Sequence, residues 1–268
     1  MRHRVSRFLA QHRRSALVSK VGRILRFFYL GYENLDYDPL TNGEAFVAKV
    51  VGAHSDHGVV FDVGANQGDW SAMAAPFFCN GKIIAFEVIP SVFERLLRHC
   101  RGYPNVSPHH LGLSDRDGTQ DFFFSDDRTE LASAVEGIHG SYFNTAKIAV
   151  TVARGDTFCE RAQISKIDFL KIDVEGFEPN VLRGFETMLA RQQIKAIQFE
   201  YNIASIRTKF LLRDFYELLG KHGMVIGKIF PNYVDFREYG YDQEDFLGPN
   251  YLSVQSKQTE LIAALSGK

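Results

Sequence analysis

A glycine-rich segment, VVFDVGANQGDW at residues 59–70, has the residue types of a ligand-binding loop. A short apolar run that contains Asp62 leads into Gly64, Asn66 and Gly68. Glycine allows a close backbone approach that a side chain would block, and the free N–H groups at the start of a following helix attract an electron-rich group. We therefore expect this loop to hold part of a small molecule.

The spacing of the glycines argues against a nicotinamide dinucleotide. The dinucleotide fingerprint needs glycine at relative positions one, three and six, and here those positions are Gly64, Asn66 and Asp69. An acid at the start of the helix would also repel a pyrophosphate. A nicotinamide-dependent oxidoreductase is therefore the less favoured alternative.

Glu87 is a second sign of a nucleoside ligand. It follows the apolar run KIIAF at 82–86 and stands 19 residues after Gly68, close to the spacing at which an acid accepts the hydroxyl protons of a ribose. Together with Asp62 it favours a nucleoside-type cofactor. The alternative is a generic doubly wound domain whose acids at the strand ends are solvated.

Three further acids, Asp173, Glu175 and Glu178, follow the apolar run DFLKI at 168–172. Carboxylates this close repel each other unless a proton or a cation intervenes. They could share a proton, pair with Lys171 or hold a divalent metal through oxygen ligands. Asp173 and Glu175 are the favoured functional acids, whereas Glu178 is equally suited to the N-terminus of a helix.

Histidine is a weaker candidate for the same chemistry. His109 and His110 end a predicted strand, and adjacent residues of a strand face opposite sides of the sheet. At most one of them can therefore point at a site, and we take His110 as a candidate base beside the commoner structural role. His54 and His57 lack a third ligand, so we assign no residue to a metal site.

These side chains need elements that bring them to one edge of a sheet. From Gly58 onward, short apolar runs alternate with segments of helical period, the pattern of a parallel sheet covered by helices. Ligands bind beyond the carboxyl ends of such strands. We predict strands at 59–63, 82–86, 168–172 and 195–199, and two further strands near 224–230 and 250–255. Helices are expected after Pro90, after Pro179 and at about 209–220. An insertion should be flanked by strands at 122–124 and 148–152.

The block IDFLKIDVEGFEPNVLRG at 167–184 resembles the signature of the FkbM family of S-adenosylmethionine-dependent methyltransferases, which is close to D-F-x-K-x-D-x-E-G-x-E-x-x-V-L-x-G. The glycine loop fits the D/E-x-G-x-G-x-G loop of methyltransferases, with Asn66, a residue that tolerates left-handed backbone angles, in place of the middle glycine. The resemblance spans about residues 40–202. The other family elements occur in order along this span: NGE (42–44), FDVGANQG (61–68), FEVIPSVFERL (86–96) and LGLSDRDG (111–118).

The resemblance implies a Rossmann-like class I methyltransferase fold, an α/β domain with a mostly parallel sheet and helices on both faces, and S-adenosyl-L-methionine as the cofactor. It implies an acceptor hydroxyl on a glycan, a glycolipid or a secondary metabolite. An aliphatic hydroxyl needs a base or a metal to become a nucleophile at neutral pH, and Asp173 is our first choice of base. By position the family places Asp62, Gly64, Asn66 and Gly68 at the methionine portion, Glu87 at the ribose, and Ser114 and Asp115 against the adenine.

Two segments could border the acceptor. Glu200, Tyr201 and Asn202 close the strand predicted at 195–199, and the segment IFPNYVDFREYGYD at 229–242 places five aromatic residues among polar ones. Aromatic faces beside hydrogen-bonding groups suit a sugar ring or an aromatic acceptor, and equally suit a cap over the sheet edge. A catalytically silent cofactor-binding module remains the alternative to an enzyme.

Charge is distributed unevenly along the 268 residues. Residues 1–28 hold eight Arg or Lys and no acid, whereas the remainder holds 23 bases against 32 acids. An acidic domain does not suit a nucleic-acid duplex lying across it, so nucleic acid is not a predicted partner. The three cysteines form no disulfide or zinc pattern, and a cytoplasmic protein is expected.

The basic start of the chain carries an apolar stripe. Val18, Val21, Leu25 and Phe28 recur at helical spacing, which predicts a basic amphipathic helix. The stripe could dock on the domain or, alternatively, lie on an anionic membrane surface. We predict a basic helical extension at 1–36, a methyltransferase domain at 37–256 and a C-terminal tail at 257–268.

Overall fold

Two β-sheets and their flanking helices form the part of the chain that the computed structural model describes, residues 2–125, 128–135, 146–247 and 250–267. The strands are β1 (Val59–Val63), β2 (Lys82–Glu87), β3 (Val106–His110), β4 (Gly112–Ser114), β5 (Gly118–Ser125), β6 (Arg128–Ser133), β7 (Ala146–Arg154), β8 (Ile167–Ile172), β9 (Ile194–Glu200), β10 (Met224–Phe230), β11 (Tyr233–Phe236) and β12 (Asn250–Gln255). The helices are α1 (Arg2–Gln11), α2 (Ala16–Tyr32), α3 (Glu44–Ala53), α4 (Asp69–Ala74), α5 (Pro90–His99), α6 (Gly155–Arg161), α7 (Glu178–Gly184), α8 (Glu186–Ala190), α9 (Ala204–Thr208), α10 (Leu212–Gly220) and α11 (Thr259–Leu265).

The large sheet has the strand order β11-β10-β12-β9-β8-β1-β2-β3 within the described residues. Strands β9, β8, β1, β2 and β3 are parallel, and β12, β10 and β11 extend one edge in antiparallel pairs. The order reverses between β1 and β8, the place where open α/β sheets bind ligands. The predicted α/β fold with a mostly parallel sheet is confirmed.

Both faces of this sheet are covered because its central strands are apolar on both sides. Phe61 and Leu170 belong to a core layer that also holds Leu182 of α7 and Phe215 of α10. The alternate residues Val60 and Phe169 belong to a second layer with helices α3 and α11. All six residues of β8 are buried, as expected of a strand with helices on both faces.

The predicted insertion forms a sheet of its own, in the order β4-β7-β5-β6. Both predicted strands are present, although each is longer than its apolar core suggested. Phe122, Val150 and Val152 pack with Val88 and Ile89, which follow β2. The small sheet therefore lies against the segment that leaves the second strand of the large sheet, while residues 136–145 of the insertion lie outside the described residues.

The helix predicted at 209–220 is shorter than expected. Helix α9 ends at Thr208, Lys209 takes a left-handed φ of +57°, and α10 begins at Leu212. The predicted C-terminal tail is also corrected. It contains α11, whose Leu261 and Leu265 are buried in the core layer that includes α3, because these leucines are one helical turn apart and face the sheet.

The N-terminal segment forms α1 and α2, so the predicted basic helix is present and extends to Tyr32. Its apolar stripe does not dock on the part of the domain that the structure describes, since no residue of α2 is buried there. Within the described residues, no helix combines the length and the hydropathy that crossing a bilayer requires.

Candidate active site

The glycine loop after β1 passes directly beside the end of β8. The N–H groups of Gly64 and Ala65 both donate to the carbonyl of Phe86 at the end of β2. Gly64 has a φ of +80°, and a Cβ there would lie 1.8 Å from the carbonyl oxygen of Asp173. Only glycine therefore fits at this position. Asn66 has a φ of +48°, the left-handed conformation that its residue type predicted.

A cavity of about 610 Å³ opens at the carboxyl ends of β1, β2, β8 and β9. Its volume falls in the range of roughly 300–1,000 Å³ that small-molecule sites occupy. One end is apolar and lies between β2 and the small sheet, with Val88, Leu111 and Leu113 in its wall. The other end is bordered by Tyr37, Asn202 and Phe246. Four acids line the wall as well: Glu87, Asp173, Glu175 and Glu200.

Glu87 lies in the cavity wall as predicted. Its carboxylate accepts the N–H of Asn66 at 3.0 Å and the N–H of Ile89 at 2.7 Å. Burial raises the pKa of this carboxyl above its usual range, while the backbone N–H groups oppose the shift. The carboxylate is thus held rigidly by the glycine loop and by the segment after β2, and its remaining lone pairs are available to a hydroxyl.

Asp173, Glu175 and Glu200 form the acidic cluster of the site. Each contributes a carboxylate oxygen, and these oxygens lie within 4.8 Å of one another, a spacing that could also hold a cation. Burial and the charges of Glu175 and Asp173 raise the pKa of Glu200. Among the described residues, Oε2 of Glu200 has no hydrogen-bond partner. The cluster therefore has a buried acceptor for a hydroxyl, an ammonium or a shared proton.

Beneath the cluster, Lys171 connects acids from three parts of the sequence. Its Nζ lies 3.2 Å from Asp62 and 3.3 Å from Asp173. Burial alone would lower the pKa of this ammonium, but the charges of Asp62, Asp173 and Glu44 outweigh burial and raise it. Glu44 of the NGE segment is buried and accepts from Gln198 at 2.6 Å. Lys171 therefore pairs with acids, which is one of the three arrangements that the sequence left open.

Glu178 closes the turn that carries Asp173 and Glu175. Its Oε1 accepts the N–H groups of Val174 at 3.0 Å and Gly176 at 3.2 Å. Burial raises the pKa of its carboxyl to about 7. Glu178 is the first residue of α7, so it serves the helix start and the turn rather than the cavity, in whose wall it is absent.

Four residues that the resemblance assigned to the cofactor lie outside the cavity wall. Asp62 is fully buried and holds Lys171 and the hydroxyl of Ser71, the latter at 2.6 Å. Gly68 is the N-cap of α4, and a Cβ there would lie 2.7 Å from a side-chain carbon of Leu96. The hydroxyl of Ser114 donates to the carboxylate of Asp115, and neither residue lines the cavity, although Leu113 before them does.

His110 also lies away from the acidic cluster. Its Nε2 is 3.0 Å from the carbonyl oxygen of Val88, and its ring stacks on Phe93 at 4.9 Å between centroids. It borders a separate cavity of about 140 Å³ with Ile148 and Val150 of β7. His110 is absent from the wall of the large cavity, so the structure does not bring it to the acids.

Several wall residues gave little signal in the sequence. The segment at 229–242 contributes none of its aromatic side chains to the wall, whereas Phe246, just beyond it, lies there and stacks on Tyr201 at 5.3 Å. Tyr37 reaches the wall from the segment after α2, and Phe122 reaches it from the small sheet. Glu200 and Asn202, by contrast, follow from the strand predicted at 195–199, and both lie in the wall.

The fold and the cavity define a class of protein: an α/β domain with a carboxylate-lined cavity at the switch point of its mostly parallel sheet. The description "Methyltransferase FkbM domain" applies to a family profile that matches residues 62–241. The chain belongs to this family. It is an S-adenosylmethionine-dependent methyltransferase, and the family predicted from the block at 167–184 is confirmed.

Two relatives have printed names. The chain is 27% identical over 179 residues to the hexuronic acid methyltransferase AglP of Haloferax volcanii, covering 66% of this chain and 71% of AglP. It is 26% identical over 162 residues to Methyltransferase 1 of Beauveria bassiana, covering 53% of this chain and 65% of that protein.

Solved methyltransferase structures are similar to the chain at low sequence identity. One is a putative O-methyltransferase from Klebsiella pneumoniae, with 12% identity, a TM-score of 0.47 and coverage of 84% of this chain and 86% of the other. Another is the O-methyltransferase TomG from Streptomyces achromogenes, in complex with S-adenosylmethionine, with 10% identity, a TM-score of 0.46 and coverage of 83% and 82%.

Proposed function

We propose that the protein transfers a methyl group from S-adenosylmethionine to a hydroxyl of a glycan, a glycolipid or a secondary metabolite. The observation that carries this proposal is the acidic cluster of Asp173, Glu175 and Glu200 in the wall of the same cavity as Glu87. AglP, whose printed name is that of a hexuronic acid methyltransferase, supports an acceptor of the sugar type.

The residues present fit the cofactor. Glu87 is fixed by two backbone N–H groups and would accept a ribose hydroxyl, while Gly64 and Asn66 would face the methionine portion. The apolar end of the cavity, with Val88 and Leu113, would hold the adenine in place of the predicted Ser114 and Asp115. Bound there, S-adenosylmethionine supplies an electrophilic methyl group on a sulfonium that already leaves readily.

The chain's own residues then have to position and deprotonate the acceptor. An in-line displacement needs the acceptor oxygen aligned with the methyl group, and Asn202 and Phe246 border that side of the cavity. Asp173 accepts the hydroxyl proton in our proposal, since Lys171 holds one of its oxygens at 3.3 Å. The raised pKa of Glu200 makes it the group of the cluster that retains a proton.

The activity test is transfer of label from S-adenosylmethionine to a panel of uronic acids, hexoses and phenolic hydroxyl compounds. We expect Asp173→Asn to lower turnover by about 10²-fold or more, because it removes the general base. The affinity for S-adenosylhomocysteine, measured by calorimetry, should change by no more than about threefold. This is less than the roughly tenfold change that a loss of about 1.4 kcal/mol of binding free energy would cause.

The exposed carboxylate of Asp121, in the small sheet, provides a matched control. Asp121→Asn should leave both turnover and binding unchanged. Equal turnover in Asp173→Asn and the parent would remove the base from our mechanism. Binding of a nicotinamide dinucleotide without binding of S-adenosylhomocysteine would overturn the proposed function itself.

We also infer that this chemistry takes place in the cytoplasm. All three cysteines are unpaired, and Cys100 and Cys159 are buried. Unpaired thiols are typical of a reducing compartment, which supports the inference.

A further inference from the structure

Helix α2 presents an apolar stripe that nothing in the described part of the chain covers. At about 100° per residue, six of its apolar side chains fall within an arc of about 100°. All six are exposed, Phe28 by 67% and Tyr32 by 76%. The stripe consists of Leu17, Val21, Ile24, Leu25, Phe28 and Tyr32.

The opposite side of α2 is basic. Lys20, Arg23 and Arg26 lie there and are exposed, and α1 adds Arg4 and Arg7 with the exposed side chains of Val5 and Phe8. No acid occurs in residues 1–28. An apolar stripe flanked only by positive charge is complementary to an anionic lipid surface, where the stripe enters the acyl boundary and the bases meet the headgroups.

The end of α2 is tied to the methyltransferase domain. Glu33 pairs with the buried Lys228 of β10 at 2.7 Å. The side-chain amide of Asn34 donates to the carbonyl of Asn42 at 2.7 Å and to that of Ile229 at 3.0 Å. The stripe therefore has a defined attachment to the sheet edge and is not a free tail.

This attachment leads directly to the mouth of the cavity. Tyr37 lines the cavity and follows Tyr32 by five residues, a span of at most about 18 Å of extended chain. The rim carries further exposed apolar side chains. Tyr37 and Ile203, both in the wall, are exposed by 67% and 66%, and Ile206 follows Ile203 by one helical turn.

We propose that α2 binds an anionic membrane through its apolar stripe and thereby holds the mouth of the cavity at the lipid surface. The acceptor is then an amphiphile, a hydroxyl-bearing headgroup anchored by a lipid, whose apolar part passes over Tyr37 and Ile203. The acceptor part of this proposal rests on the proposed methyl transfer, whereas the membrane part does not.

Co-sedimentation of the full chain with vesicles tests the membrane part. We expect pelleting with phosphatidylcholine vesicles that contain roughly a quarter of phosphatidylglycerol, and little with phosphatidylcholine alone, because each base near an anionic surface adds about fivefold to binding. Arg23→Gln with Arg26→Gln should weaken binding at least about tenfold. Equal pelleting with both kinds of vesicle, or none with either, overturns the proposal.

The helix offers a matched pair of variants. Phe28→Ser removes an aromatic ring from the stripe and should lower binding about tenfold. Phe27→Ser removes a ring that is equally exposed, by 73%, but lies on the basic side, and should change binding by less than about twofold. Equal effects of the two variants contradict the assigned stripe. If Phe28→Ser instead converts a dimer to a monomer in light scattering without any vesicle binding, the stripe is an interface between copies.

The acceptor part is tested with label from S-adenosylmethionine in an extract of the source cells. After partition of the extract between an organic and an aqueous solvent, we expect the label in the organic phase. When vesicles present the substrate, the Phe28→Ser variant should transfer little or no label to that phase. Label confined to the aqueous phase overturns the lipid-linked acceptor and leaves methyl transfer intact. Label in neither phase, together with normal vesicle binding, overturns the proposed function and leaves the membrane surface intact.

Discussion

Lys171 is the residue that allows so many acids to share the site. Its ammonium is 6% exposed and lies within 3.3 Å of both Asp62 and Asp173. Burying a carboxylate without a cation or a proton beside it raises the free energy of the folded state. In this protein Lys171 of β8 provides the cation. Asp62 serves to hold the ammonium of Lys171 in place. The same ammonium stabilises the charge of Asp173, which lines the cavity wall.

The same charge leads to a prediction about metals. Lys171 already places a positive charge 3.3 Å from Asp173, so we expect the acidic cluster to work as a base and a proton store. Addition of EDTA should change the rate of methyl transfer by no more than about twofold. A catalytic metal lowers the reaction barrier by several kcal/mol, so its removal would slow the reaction far more. Loss of activity in EDTA that Mg²⁺ restores would show that the cluster of Asp173, Glu175 and Glu200 holds a cation instead.

Glu87 offers a direct test of the cofactor position. Glu87→Gln replaces an acceptor by an amide that must face the N–H groups of Asn66 or Ile89. We expect binding of S-adenosylhomocysteine to weaken by at least about 1 kcal/mol, measured by calorimetry. Asp115→Asn is the comparison, because Asp115 lies outside the cavity wall. This variant should bind S-adenosylhomocysteine with the affinity of the parent protein. Equal losses in both variants would contradict the assigned ribose partner.

At the scale of elements, the turn between β8 and α7 does most to shape the acidic wall. Glu175 and Gly176 both take left-handed φ values, +53° and +89°. The hydroxyl of Ser133 in β6 donates to the carbonyl of Glu175 at 2.7 Å. Glu178 satisfies two N–H groups inside the turn. The small sheet and the helix start therefore hold Glu175 toward the cavity from two sides.

Glu178 should make the stability of the fold depend on pH. Its carboxyl has a pKa raised from 4.5 to about 7 by burial, so between these values the folded protein keeps a proton that the unfolded chain releases. The stability contributed by this group is complete below pH 4.5 and is lost as pH rises to about 7, by up to about 1.4 kcal/mol per pH unit.

Glu178→Gln should flatten this dependence, measured as the free energy of unfolding in urea across that pH range. The exposed Glu186 in the first turn of α8 supplies the matched variant, and Glu186→Gln should keep the parent slope. A parental slope in Glu178→Gln would show that other buried acids, such as Glu44 and Glu200, account for the pH dependence.

At the scale of the whole molecule, a buried ion pair contributes to the attachment of the N-terminal helices. Lys228 is 1% exposed and lies 2.7 Å from Glu33 and 3.8 Å from Asp245. Removing one partner of a buried pair leaves an uncompensated charge, which costs about 3–5 kcal/mol. We therefore expect Glu33→Ala to lower the free energy of unfolding by about 3 kcal/mol in urea, since Asp245 compensates in part.

The exposed pair of Lys147 and Asp121, 2.8 Å apart, is the comparison for this prediction. Exposed pairs contribute about 0–1 kcal/mol, so Asp121→Ala should change stability by less than about 1 kcal/mol. Similar losses in both variants would mean that Glu33 is a surface partner and that the helices are held by other contacts, such as those of Asn34.

Local patterns were sufficient for much of the fold. The strand at 59–63 was predicted to the residue, and the strands expected near 224–230 and 250–255 are present. Short runs rich in β-branched or aromatic residues and bounded by polar or glycine positions are typical of strands. Asn66 and its left-handed angle followed from residue type alone. The helix of 257–268 was missed because its two buried leucines form too short a pattern to stand out.

The sequence by itself determined the α/β architecture, the family and the two acids Glu87 and Asp173 at the strand ends, since each depends on residues close together in the chain. Only the tertiary structure decided which motif residues reach the cavity. Asp62 and Asp173 both lie near the ends of neighbouring strands, but the register places Asp62 inside β1 beside Lys171 and Asp173 just beyond β8. Asp62 is therefore fully buried on Lys171, whereas Asp173 lines the wall. That difference comes from Lys171, Glu44 and the small sheet, and contacts between segments so far apart leave no local pattern to read.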